Sequence, residues 1–404
     1  MIKIAGMTAR GIAMLIRGQA AIVGIGASEF SRRSPHSPMR LAAQAFRAAL
    51  DDAGANRDQV DGVASHMGSP LGVDYDRFAE AMGLNLRHAV QYWTHGRFVT
   101  ATLQNAALTV IAGLADLVAC VTVVKFLDVR SILGGDGDVE SRREGGGSQA
   151  QDPAFGLTSP GGGAALFARR YFERYGVGEE TLFNVVRSSR AHAARNPLAL
   201  RREPFDADVY SREPLVIAPL RRADCCQIND AAIVTLVTKA ERARDFAKAP
   251  VYVRGMQGMR GGPDEFIFAP RGFGIGQQAV TSWPAERRPG QVFEMADVKP
   301  SEIDAFYTYD AFSPLVLASL ERFGYCGPGE AAQLVADGAI APGGRLPVNT
   351  SGGLLSEAHV GGWNSIAEMV RQLRGEAGPS QLPGAQCLQW GTTWGDSVIL
   401  GREP

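Results

Sequence analysis

Cysteine is scarce in this sequence, and its placement excludes two classes of protein. Cys120, Cys225, Cys226, Cys326 and Cys387 are five in 404 residues. They are odd in number, scattered, and show no CxxC or Cys/His ligand spacing. Neither a disulfide framework nor a structural metal is expected, and a reduced cytoplasmic setting is the default. Excess charge is missing as well. Lys and Arg number 41 against 42 Asp and Glu, a net charge of −1, which gives no electrostatic reason to expect nucleic acid. No apolar run has the length needed to span a bilayer. The opening MIKIAGMTARGIAMLIRG is interrupted by Arg10 and Arg17. That makes a poor secretory signal, so residues 1–19 are expected to be a loosely packed extension.

What is present alternates between strand and helix patterns. Residues 20–27 are a short apolar run closed by glycines, which reads as a buried strand. RLAAQAFRAALDDAG (40–54) has helical spacing and a glycine where a helix would stop, and VDGVASH (60–66) is a second strand. NAALTVIAGLADLVACVTVV (105–124) runs from helix through a turn at Gly113 into a β-branched strand. This alternation predicts an α/β fold with a mainly parallel sheet covered on both faces. From 125 to 165 apolar periodicity disappears, and the glycine-rich 134–147 segment is a candidate ligand lid. Helical patterns return at 165–176 and 182–197, a strand follows at 229–238, and 239–247 reads as a short helix.

A second, similar course begins near residue 250. AGANRDQVDGV (53–63) is echoed by ADVKPSEIDAF (296–306), and the helix and strand at 367–375 and 384–391 echo those at 105–124. A duplicated unit would put a site at the seam of its halves. The GIG of VGIGAS (23–28) lacks the spacing and the acidic residue of a dinucleotide fingerprint.

Four stretches carry a family resemblance that covers the chain from about Ala20. They are AIVGIGASEFSRRS, RYFERYGVGEETLFNVVRSSRAHAARNP, PLRRADCCQINDAAIVTLVTKAERARD and LPVNTSGGLLSEAHVGGWNSIAEMVRQLRGEAG. In their order and spacing the sequence resembles the thiolase superfamily, in its sterol-carrier and lipid-transfer-protein-like branch. The resemblance implies two duplicated α-β-α-β-α halves stacked as five layers, with two helices buried between the sheets and an inserted loop domain. The amino-terminal half would comprise 20–124 and 226–247, the loop domain 125–225, and the carboxy-terminal half 248–404. It also implies a homodimer and an acyl-CoA substrate, with coenzyme A as part of the substrate and no covalently bound cofactor.

Thiolases place a nucleophilic cysteine at the start of the buried helix of the first half, where the helix amino-terminus lowers its pKa. In this chain the matching stretch, YWTHGRFVTATLQNAALTV, puts Gly96 or Arg97 there, and the nearest cysteine, Cys120, falls in the following strand. The second family motif matches Tyr309-Asp310-Ala311-Phe312. The third matches His359-Val360-Gly361-Gly362, after the turn Asn349-Thr350-Ser351-Gly352-Gly353. The last cysteine of condensing thiolases has no counterpart, since Cys387 lies in the preceding strand and the loop reads Trp390-Gly391-Thr392-Thr393-Trp394.

Without a nucleophile, these residues suit retro-aldol cleavage of a β-hydroxyacyl-CoA through an enolate. Tyr309 would handle the proton of the substrate hydroxyl, and His359 would donate to the enolate oxygen or return a proton to carbon. Backbone N–H groups around Gly352, Gly353 and Gly361, with Gly362 beside them, would complete an oxyanion hole. Asp310 would orient a neighbour or cap the helix that follows, and Tyr307 would pack across the strand. His95, at the mouth of the nucleophile helix, is a further catalytic candidate, although a helix cap or surface role suits it better. The resemblance to the steroid side-chain aldolases of this branch also implies a small OB-fold, zinc-finger partner protein. The alternatives are an acyltransferase with an atypical nucleophile, and a non-catalytic acyl-CoA or lipid carrier.

Overall fold

The computed structural model describes residues 15–69, 71–92, 99–126, 160–259 and 290–404. The first strand, β1 (Ala20–Ala27), leads to α1 (Pro38–Ala53). Ser37 caps that helix by accepting the Arg40 N–H at 3.2 Å, Pro38 sits in its first turn, and Gly54 ends it in the left-handed region. Leu41, Ala42, Ala45, Phe46, Ala49 and Ala53 form its buried stripe. Gly26 of β1 explains the GIG segment. A Cβ there would stand 2.1 Å from the Ala45 carbonyl, so the glycine lets α1 lie directly against the strand.

The remaining elements are β2 (Gly62–His66), α2 (Tyr75–Met82), β3 (His88–Tyr92), α3 (Val99–Ile111) and β4 (Leu117–Lys125). After these come α4 (Pro160–Tyr175), α5 (Glu179–Ala193), α6 (Ala207–Arg212), and the strand pair β5 (Leu215–Ile217) and β6 (Leu220–Arg221). Then follow β7 (Asp230–Lys239), β8 (Val251–Gln257), α7 (Gln291–Ala296), β9 (Ala305–Tyr307), α8 (Pro314–Arg322) and α9 (Ala331–Ala336). The chain closes with α10 (Gly353–Ser356), α11 (Trp363–Arg374), β10 (Cys387–Gly391) and β11 (Ser397–Gly401). The stretch expected as a short helix at 239–247 is instead a 3₁₀ turn, Ala240–Asp245.

Nine strands pair in the order β3-β2-β4-β7-β1-β8-β11-β10-β9. The sheet is mixed, which corrects the expectation of a mainly parallel one. β2 runs parallel to β3 and β4, and β9 to β10, while β7 is antiparallel to both β4 and β1, and β8 to both β1 and β11. The reason is the connection. β7 is reached after a long insertion that follows β4 and carries α4, α5, α6 and the β5–β6 pair, not a simple strand–helix–strand crossover, so nothing in the connection obliges it to run parallel to β4.

Alternation along the strands separates three cores. In β1, Ala21 and Val23 face a cluster with Leu41, Ala45 and Phe46 of α1, while Ile22 and Ile25 face a central cluster. That central cluster contains Leu103, Ala106 and Val110 of α3 beside Trp363, Ile366, Met369 and Val370 of α11, with strand residues of both halves. A third cluster lies on the outer face of the second half, where Ile399 and Phe306 meet α7, α8 and α9. Helix, sheet, buried helix pair, sheet and helix make five layers. The two sheet halves join along β1 and β8, through Ala21–Tyr252 and Ile22–Val251.

The repeat read at 53–63 and 296–306 is reproduced in detail. Gly54 and Asp297 both take positive φ, and 3₁₀ turns follow at Arg57–Gln59 and Pro300–Glu302. The Asp61 carboxylate then accepts the Leu117 N–H at 2.9 Å, and the Asp304 carboxylate accepts the Cys387 N–H at 2.9 Å. In each half one aspartate ties the start of one strand to the start of the parallel strand beside it.

Candidate functional site

Beyond Tyr307 the chain leaves β9 and is held by the turn at 349–353. The Thr308 N–H donates to Asn349 Oδ1 at 2.9 Å, and the Asn349 amide donates back to the Thr308 carbonyl at 3.2 Å. Tyr307 is fully buried and packs in the central core, with its hydroxyl 2.7 Å from Thr350 Oγ1. Asp310 accepts the Leu354 N–H at 2.9 Å and the Leu355 N–H at 3.3 Å. Of the two roles expected for it, capping falls on α10 and not on the helix that follows Asp310 in sequence. Gly353 has φ +59°, and a Cβ there would lie 2.3 Å from Asp310 Oδ2, so glycine is what lets the carboxylate reach the helix start. The Gly352 N–H donates to the Asn349 carbonyl at 2.8 Å. In this structure that donor is engaged by the turn.

His359 follows α10 directly and is bracketed by Asn229 at the head of β7. The His359 N–H donates to Asn229 Oδ1 at 2.7 Å, and the Asn229 amide donates to the His359 carbonyl at 3.4 Å. The imidazole stacks on Phe126 with ring centres 4.7 Å apart and an interplanar angle of 10°. Its Nε2 lies 3.1 Å from the Tyr309 hydroxyl, across 50 residues of sequence. Trp394, from the loop after β10, stands 6.2 Å from the Tyr309 ring. Burial first, and the nearby His66 second, push the His359 pKa down to about 3. The ring is therefore neutral near pH 7, with one nitrogen donating and the other accepting. Gly361 and Gly362, with φ of +61° and +91°, carry the chain from the histidine into α11.

His66, at the end of β2, was not singled out from the sequence. It is buried, and its Nδ1 accepts the Trp363 indole N–H at 3.1 Å, with Thr122 Oγ1 at 3.4 Å. Because an indole N–H only donates, Nδ1 must be unprotonated. A strand from one half thus meets the first residue of α11 from the other, beside His359. Asn229 and Phe126 were missed too, as strand-end residues with no spacing signal of their own. His95, Gly96, Arg97 and the candidate lid at 134–147 lie outside the described residues.

Under this site lies a buried carboxylate. Glu357 accepts from Ser351 Oγ at 2.6 Å, Asn364 Nδ2 at 2.9 Å and Asn196 Nδ2 at 3.0 Å. Burial, then the neighbouring Glu368, push its pKa from 4.5 up to about 7, against the pull of those donors. A folded value above the unfolded one means the stability it confers is complete below pH 4.5 and is lost as pH rises toward 7. Glu357→Gln is expected to flatten the fall in unfolding free energy across that window, as read by urea titration. An unchanged slope would contradict the assignment.

The thiols offer no replacement for the missing nucleophile. Burial pushes Cys225 and Cys326 up to about 12 and Cys387 up to about 11, and raises Cys120 and Cys226 further. None supplies a ready thiolate near neutral pH. Among the described residues no group of three or more His, Cys, Asp or Glu could hold a metal ion, and no helix is long and apolar enough to cross a membrane.

Residues 276–400 match the thiolase C-terminal domain-like family. Over 373 residues the chain is 37% identical to the 17-hydroxy-3-oxo-4-pregnene-20-carboxyl-CoA lyase of Mycobacterium tuberculosis, covering 89% of this chain and 93% of that protein. Over 381 residues it is 34% identical to the steroid side-chain-cleaving aldolase of Thermomonospora curvata, covering 89% and 92%. Among solved structures, the Ltp2-ChsH2(DUF35) aldolase superposes with a TM-score of 0.81 at 32% identity, over 96% of this chain and 98% of that one. A monomeric SCP2-thiolase-like protein of Mycobacterium smegmatis, 20% identical with a TM-score of 0.66, shares the fold. With a five-layer fold built from two matching halves and relatives that align along nearly its whole length, the chain belongs to the thiolase superfamily, in the sterol-carrier-like branch that includes the side-chain-cleaving aldolases.

Proposed function

We propose that the protein is an acyl-CoA carbon–carbon lyase that cleaves a β-hydroxyacyl-CoA bearing a steroid or similarly bulky acyl chain. The observation that carries this reading is the hydrogen-bonded Tyr309–His359 pair, in a chain whose five thiols are all pushed up by burial. The relatives named as a CoA lyase and an aldolase support the reaction class. In the retro-aldol step the substrate hydroxyl loses its proton, its carbon becomes a ketone, and the bond between the α and β carbons breaks. The electron pair passes to the thioester as an enolate, and protonation at the α carbon releases the shorter acyl-CoA. Atoms and electrons balance without an oxidant or reductant.

Tyr309 O takes the substrate proton while its own passes along the hydrogen bond to His359 Nε2, and that proton then returns to carbon. Backbone N–H groups near Gly353 and Gly361 face the enolate oxygen. In D₂O the acyl-CoA product should gain a single deuterium at its α carbon, and its absence would contradict an enolate. Because burial holds His359 down to about 3, the pH–rate profile should show no inflection near the ordinary histidine value of about 6.5. The Ltp2-ChsH2(DUF35) aldolase supports a partner subunit for this chain too, and the same proposal makes that partner a small OB-fold, zinc-finger protein and the chain a homodimer. The same reading divides the chain at 125–225 into an inserted loop domain between two thiolase halves.

A further inference from the structure

A separate cavity of about 320 Å³ lies between α5, the segment after it and the stretch following β1. It is large enough for a small organic ligand. Arg32, Arg190, Arg201 and Arg222 line it, with Glu203 and Glu213 as the carboxylates. Glu213 is already engaged, 2.8 Å from Arg222 and 3.6 Å from Arg201.

Arg190 is the informative residue. It is only 4% exposed. Its Nη1 donates to the Leu355 carbonyl at 2.8 Å and to Ser356 Oγ at 2.5 Å, and its guanidinium stacks over Phe205 at 5.2 Å. The group is thus fixed in place. Arg190 lines the cavity, and its Nη2 is buried with no hydrogen-bond partner among the described residues. A buried guanidinium donor left unpaired is costly, and an acceptor entering the cavity would remove that cost. Burial already pulls its pKa down to about 10.

We propose that this cavity binds a phosphate ester, held by the fixed Arg190 guanidinium and by Arg32 and Arg222 at its mouth. Arginine forks match phosphate oxygens in pairs, and four guanidinium groups outnumber the two carboxylates. The inference rests on the cavity and not on the lyase chemistry. Arg190 also grips α10, which precedes His359, so occupancy would stiffen the helix that leads into the site.

Isothermal titration of the full chain with inorganic pyrophosphate tests it without turnover. Binding should weaken as salt is added. The double variant Arg32→Ala/Arg222→Ala, at two exposed positions, should weaken it by roughly tenfold or more. Glu203→Gln, which removes the exposed carboxylate at the rim, should tighten it several-fold. No measurable binding, or binding that none of these substitutions alters, would overturn the proposal. Competition separates the sources. Displacement of pyrophosphate by free coenzyme A would assign the cavity to the phosphate end of a thioester, and simultaneous binding would assign it to an independent phosphorylated ligand.

Discussion

Tyr309→Phe is expected to lower kcat by about 10²–10⁴-fold while leaving the fold intact, because it removes the one hydroxyl that links the substrate to His359. The phenylalanine ring keeps the contacts of a half-buried side chain that packs beside Trp394. Thermal unfolding should therefore move little, and any loss of rate can be read as chemistry. His359→Ala should be as damaging, and the double variant scarcely worse than either single one. Groups that pass one proton act as a unit and do not add. Steady-state release of the shorter acyl-CoA, with the partner protein present, measures all three. Full activity in the phenylalanine variant would remove Tyr309 from the mechanism.

The second large effect is on stability. Trp363 is completely buried in the central core, between the two halves. Trp363→Ala should cost about 3–5 kcal/mol, from lost apolar burial and the cavity left behind. Trp363→Phe should cost much less, since most of the ring volume is kept. It would nonetheless delete the indole N–H that now fixes the tautomer of His66. With Nδ1 released, His66 can present either nitrogen toward the His359 side, so the phenylalanine variant should lose rate while staying folded. Urea titration and kinetics together separate the two effects. An alanine variant as stable as the parent would show that the halves are not held together through α11.

These two predictions fall on different sides of what a sequence can reveal. Tyr309 and His359 are legible because each sits in a short motif with a recognisable neighbourhood. The pairing of His66 with Trp363 is not, because His66 stands in no motif and the two are 297 residues apart. The absence of a usable cysteine was also legible, though the stretch that carries Gly96 and Arg97 lies outside the described residues. What no motif indicated is how basic the remaining thiols are, since that depends on burial.

By itself the sequence determined the local elements and their repetition. Apolar periodicity and glycine stops set β1, α1 and β4, because these depend on residues within a few positions of one another. The duplicated helix-end, turn and strand-start at 53–63 and 296–306 was legible for the same reason. Only the tertiary structure decided the direction of β7, which depends on where a long insertion returns to the sheet. It alone brought Tyr309 to His359, set Asn229 around the histidine backbone and left Arg190 Nη2 buried without a partner beside a cavity. Spacing along the chain carries none of these, because each arises where two separately encoded segments pack together.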